Sequence, residues 1–202
     1  MDGDGVDEVV AALAGGGVVV LPTDTVYGLV ALASDAVATA RIFELKQRTE
    51  GVPLAVLCAS TDQALALAAD PDDAAVQAVA RRWWPGPLTL VLPRRPGVDL
   101  HLGEPATTIG LRVPDHELVR AVTERVGPVA ATSANRHGVP VVATATEARQ
   151  TFGDAVAVIV DGGRLAERSS TVIDATTLPW RLLRDGPIAA EDIFTTGLDA
   201  AG

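Results

Sequence analysis

The chain has 202 residues, 48% of them hydrophobic and 21% charged, with a formal net charge of −10. That is apolar material for a sizeable core in one domain spanning 1–202, and it excludes a disordered chain. The acidity opposes broad coating of a nucleic-acid backbone, and the single Cys58 excludes a disulfide framework and favours a reducing, cytoplasmic setting.

In chain order, VDEVVAALA at 6–14 has helical spacing and is ended by Gly15, Gly16 and Gly17. VVVL at 18–21 reads as a short buried strand stopped by Pro22. Ser34 is placed to cap a helix running to about Leu45, with Val37, Ile42 and Leu45 as its apolar positions. LKQRTEGVP then reads as loop and PLAVLC at 53–58 as a second buried strand. Ser60 or Thr61 opens a short helix, and Pro71-Asp72 opens another that ends near Trp84 at the rigid WPGP break. LTLVL at 88–92 and TIGLRV at 108–113 are strands flanking the one long loop, 93–107. Asp115 caps a helix over 115–126, PVAATS at 128–133 runs from strand into loop, and Thr146 starts another helix. VAVIVD at 156–161, TVID at 171–174 and WRLLR at 180–184 complete the strands. Alternation of this kind predicts an α/β protein with a largely covered sheet. The acidic opening MDGDGVDE is unlike a secretory leader, and no apolar run is long enough to span a bilayer.

Several familiar sites are absent. There is no G-x-x-x-x-G-K-[ST], no G-x-G-x-x-G, no metal spacing among His101, His116 and His137, and no nucleophile–base pair. Four segments nevertheless interrupt the apolar pattern at strand ends, where α/β sheets carry their sites. LPTDTVYGL sets Thr23, Asp24 and Thr25 directly after a strand, as a polar ligand site or an ordinary turn. Lys46-x-Arg48 is an anion site or a pair of solvated helix-end charges. Lys46 is also the only lysine beside fifteen arginines. Arg112 sits in a strand, either exposed on one face or buried against an anion. ATSANRHG gathers Thr132, Ser133 and Asn135 in a loop suited to a phosphate or carboxylate, or to a polar turn.

Taken together, PTDTVYGL, KQR, WPGPLTLVL, GLRVPDH, TSAN-x-x-G, SSTVID and R-x-G-x-I, in that order over residues 17 to 188, resemble the YrdC/Sua5 family of threonylcarbamoyl-AMP synthases. The resemblance implies a twisted, mostly mixed β-sheet flanked by helices around a central cleft, in the short form without the extra C-terminal domain. It implies a nucleotidyltransferase that converts L-threonine, bicarbonate and ATP into threonylcarbamoyl-AMP and pyrophosphate for t6A modification of tRNA.

Residue by residue, it implies catalytic and phosphate-facing roles for Lys46 and Arg48, and nucleotide contacts for Thr108, Asn135 and Arg184. It implies L-threonine contacts for Thr23, Arg112, Ser133 and Ser170. Magnesium would be held mainly by the ATP phosphates, with no metal site in the protein. The product would pass to a threonylcarbamoyl-transferring partner, with no stable tRNA binding and no membrane. Two positions depart from the family pattern: Thr49 stands where proline is usual after K-x-R, and His137 where serine is usual.

The chemistry agrees with the missing motifs, because a threonine carbamate attacking the α-phosphorus needs positioning and charge neutralisation rather than a protein nucleophile. On a loop, Lys46 would contribute little to folding. The rival readings are an RNA-binding YrdC-like module and a paralogue with a different carbamoyl- or acyl-adenylate substrate.

Overall fold

A computed structural model describes residues 3–47, 52–166 and 168–201. Arg48 and Thr49 lie outside the described residues. Helix α1 (Gly3–Ala14) leads into strands β1 (Val19–Leu21) and β2 (Gly28–Leu32), then α2 (Ala36–Lys46), β3 (Ala55–Leu57), α3 (Thr61–Leu65) and α4 (Ala74–Trp83). There follow β4 (Leu88–Pro93), β5 (Thr108–Arg112), α5 (Glu117–Val126), β6 (Val129–Ser133) and α6 (Ala145–Phe152). Strands β7 (Val158–Ile159), β8 (Thr171–Asp174) and β9 (Arg181–Arg184) precede α7 (Ala190–Ala201).

These strands form one mixed sheet in the order β7-β1-β2-β6-β3-β5-β4-β8-β9. The expected mixed α/β architecture is therefore present. Helices α1 and α5 cover one face over Val19, Leu21, Val30, Leu57, Val129 and Ala131. Helices α2, α3, α4, α6 and α7 lie on the other face and share its core with Val56, Leu88, Leu90, Ile109, Leu111 and Ile173.

Period-two alternation then decides what the first face presents beyond α1 and α5. In β4, β5 and β8 the apolar residues Leu88, Leu90, Leu92, Ile109, Leu111 and Ile173 go to the helical core. Their neighbours Thr89, Val91, Thr108, Gly110, Arg112, Val172 and Asp174 face the opposite way and line a cavity. Leu57 and Ala131 line the same cavity. The cavity thus opens beside α1 and α5, and the bare sheet is its floor.

Several local expectations change. Strand β2 has no counterpart in the sequence reading; it pairs β1 on one side and β6 on the other. Asp35, not Ser34, caps α2, accepting from the backbone N–H of Val37 and Ala38, and Val37 is 80% exposed rather than core. Asp115 does not cap α5: His116 occupies that position without a side-chain cap bond, and Asp115 pairs with Arg120. The 156–161 strand shrinks to Val158–Ile159, and α7 has no counterpart in the sequence reading. Cys58 is a buried core thiol whose pKa burial pushes up to about 12.

Candidate active-site cavity

The cavity encloses about 610 Å³, within the range of small-molecule sites. Gly110 is paired with Ala55 on one side and Val91 on the other. A Cβ at Gly110 would come no closer than 3.5 Å to Thr89 Cγ2, so glycine here leaves room above the sheet rather than relieving a clash.

The β1–β2 connection folds over this floor. Thr23 Oγ1 accepts from the backbone N–H of Thr25 and Val26 and donates to Val26 O at 2.7 Å, which closes a tight turn. The turn sets Asp24 and Thr25 against β5. Arg112, only 6% exposed, donates from Nη2 to Asp24 Oδ1 at 2.5 Å, from Nη1 to Thr25 Oγ1 at 3.0 Å and from Nε to Gly86 O at 3.1 Å. The buried alternative for Arg112 therefore holds, and its anion is a side chain of this protein. Burial lowers the guanidinium pKa and Asp24 opposes that shift.

A second polar group lies along β4 and β8. Ser170 Oγ and Thr89 Oγ1 are 2.9 Å apart, and both residues are buried. Arg184, on edge strand β9, donates from Nε to Ser170 O and from Nη2 to Ser170 Oγ, each at 2.9 Å. A register slip between β8 and β9 at Val172/Ile173 accompanies the arrival of both Leu183 and Arg184 at the cavity wall. Farther along β8, Asp174 lines the cavity and accepts from Thr176 and from Arg181 Nη2 at 2.6 Å.

Of the expected site residues, Thr23, Thr108, Arg112, Ser133, Ser170 and Arg184 all line this one cavity. Lys46 and Asn135 lie behind its wall, and Arg48 is outside the described residues. The loop reading of Lys46 is corrected: it is the last residue of α2 and only 3% exposed. Its ammonium donates to Ser133 O at 2.7 Å, Asn135 O at 3.1 Å and Asn135 Oδ1 at 2.8 Å. Asn135 Oδ1 also accepts from Ser133 Oγ at 2.7 Å, and its Nδ2 donates to Val139 O.

Thr89 and Asp174 went unassigned in the sequence, and Asp24 and Thr25 were named there only as a polar ligand site or an ordinary turn. A signal existed for Thr89, a polar residue at an alternate position of an otherwise apolar strand. For Asp24 the polar turn was visible, but nothing local tied it to Arg112.

Fold and cavity define a mixed α/β ligand-binding protein whose bare sheet face is the floor of its site. The Sua5/YciO/YrdC family profile, described as telomere recombination, matches residues 11–186. The chain belongs to that family. A Mycobacterium tuberculosis relative is 38% identical over 199 residues, covering 98% of this chain and 91% of its own length. A threonylcarbamoyl-AMP synthase of Pyrococcus abyssi is 41% identical over 181 residues, covering 88% of this chain and 53% of the relative. The crystal structure of P. abyssi Sua5 complexed with L-threonine superposes with a TM-score of 0.88 at 35% identity, over 97% of this chain and 58% of that one. The present chain thus spans little more than half of the P. abyssi protein.

Proposed function

We propose that this protein is a threonylcarbamoyl-AMP synthase, joining L-threonine, bicarbonate and ATP with release of pyrophosphate, in the cytoplasm. The observation that carries the reading is convergence. Six residues from five separated motifs line one cavity on a bare sheet face, in a chain whose relatives include named threonylcarbamoyl-AMP synthases.

In this reading the threonine amine adds to CO2 derived from bicarbonate and loses a proton to solvent, giving a carbamate. A carbamate oxygen then attacks the α-phosphorus, and the bond to pyrophosphate breaks. The protein's part is positioning and electrostatic stabilisation. Thr23, Arg112, Ser133 and Ser170 surround the amino acid, and Thr108 and Arg184 the nucleotide. Lys46 and Asn135 set the loop carrying Ser133, and Arg48 serves the phosphates.

Among the described residues, no group of three or more His, Cys, Asp or Glu side chains could hold a metal ion. Asp174, the one carboxylate among the described residues of the cavity wall, is already engaged by Thr176 and Arg181. A protein-held magnesium does not fit there, so magnesium belongs with the ATP phosphates. The product passes to a transferring partner. Among the described residues no helix is long and apolar enough to cross a membrane.

The test is pyrophosphate release from ATP and bicarbonate across an amino-acid panel. A site built to bond a substrate hydroxyl rejects analogues lacking it. The expected order is L-threonine fast, L-serine weak and L-valine negligible. Equal rates with threonine and valine would overturn the reading, and salt-sensitive RNA retention without turnover would replace it with an RNA-binding module.

A further inference from the structure

Thr89 and Ser170 carry two hydroxyl protons between them, and the pair's own hydrogen bond uses one. Arg184 occupies a lone pair of Ser170 Oγ. Neither hydroxyl donates to any other group among the described residues. One proton is therefore left over, on Ser170 if Thr89 donates and on Thr89 if Ser170 donates. Both residues are at least 96% buried from solvent and both line the cavity, so the cavity is where that proton points.

The charge around the pair defines what accepts it. Arg112 already has Asp24 as its counter-ion. Arg184 has no acidic side chain within ion-pair reach among the described residues. Uncompensated positive charge on this part of the wall thus sits at Arg184, beside the leftover donor. The register places Thr89 opposite Val172 in β8 and next to the Arg112 end of β5, at the far end of the floor from Thr108.

We propose that Thr89 and Ser170 act as a single hydroxyl donor, held by Arg184, for the carboxylate of the amino-acid substrate. This makes Thr89 a binding residue. It rests on the functional reading above. Its consequence is specific: either hydroxyl alone keeps one proton for the ligand, so only their joint removal deletes the donor.

The test is a double-mutant cycle read by calorimetric titration of L-threonine. Thr89→Val and Ser170→Ala should each raise Kd by less than about tenfold, and the double variant by about a hundredfold, the loss of one bond to a charged acceptor. L-Threoninol, which lacks the carboxylate, should bind wild type and double variant alike. Thermal melts exclude misfolding, and should Thr89→Val not fold, Thr89→Ala takes its place in the cycle. Failure of the wild type to bind L-threonine overturns the functional reading and this proposal with it. Normal wild-type binding with a double variant no worse than the product of the singles overturns this proposal alone. So does a double variant that loses ATP affinity and keeps L-threonine affinity.

Discussion

The Lys46 ammonium and Asn135 are locked together: Nζ lies 2.8 Å from Asn135 Oδ1 and 3.1 Å from its carbonyl, with Ser133 O at 2.7 Å. Three oxygens arranged around a point suit an ammonium, whereas a planar guanidinium presents its donors in one plane. In return the backbone N–H of His137 donates to Lys46 O at 2.8 Å. The only lysine in the chain therefore joins the end of α2 to the loop that carries Ser133.

Lys46→Met should leave those oxygens without their donor and cost about 3 kcal/mol, lowering the melting temperature by roughly 6–12 °C. Lys46→Arg keeps the charge and overfills the site, so it too should lower the melting temperature, and kcat should fall by about a hundredfold as the Ser133 loop shifts. A Lys46→Arg protein with wild-type melting and wild-type kcat would show that the latch has no consequence.

The Asp24–Arg112 pair is buried on both sides, with side-chain exposures of 12% and 7%. Removing one member of a buried pair leaves the other charge without compensation. Asp24→Asn should therefore destabilise the protein by about 3 kcal/mol in urea denaturation. Arg112→Lys cannot reproduce bonds to Asp24, Thr25 and Gly86 at once, so the KM for L-threonine should rise at least about tenfold while that for ATP moves much less. Unchanged denaturation midpoints for Asp24→Asn would remove Asp24 from this role.

Burial holds His116 below the ordinary histidine pKa, with Asp24 opposing, and its Nδ1 is buried without a hydrogen-bond partner among the described residues. The folded state thus resists protonation that the unfolded chain accepts near pH 6.5. Stability from this group is present above that pH and is lost as pH falls below it. His116→Asn should show a smaller drop in melting temperature between pH 7.5 and 5.5 than wild type. An identical drop would mean that His116 titrates alike in both states.

Much of this architecture is legible in the sequence, because strands with a clear apolar period and helices with a capping residue declare themselves locally. Ser60 before α3 and the alternation in β4 and β5 are examples. Strand β2 was hidden because its pattern, GLVAL, follows a run of turn formers, and its pairing with β1 and β6 makes it a strand. Six of the cavity-lining residues were named in advance because the family resemblance, carried by motifs in order, pointed to them. The partnership of Asp24 with Arg112 spans 88 positions, and no local pattern encodes a contact at that range. Lys46 was misplaced for a related reason: the oxygens that bury it come from a loop 87 to 89 residues away.

Gly110 gives the most direct test of the claim that L-threonine and ATP react above the bare sheet. A valine there suits a β-strand and meets no clash at its Cβ, whose nearest neighbours would be Thr89 Cγ2 at 3.5 Å and Ala55 at 3.9 Å, both ordinary van der Waals contacts. The measurement is the rate of threonylcarbamoyl-AMP formation from L-threonine, bicarbonate and ATP, followed by mass spectrometry for wild type and Gly110→Val. The account predicts a folded variant with unreduced melting temperature and a rate lower by at least about a hundredfold, because branched carbons occupy the floor on which the substrates are positioned. Product formation by Gly110→Val at the wild-type rate would contradict it.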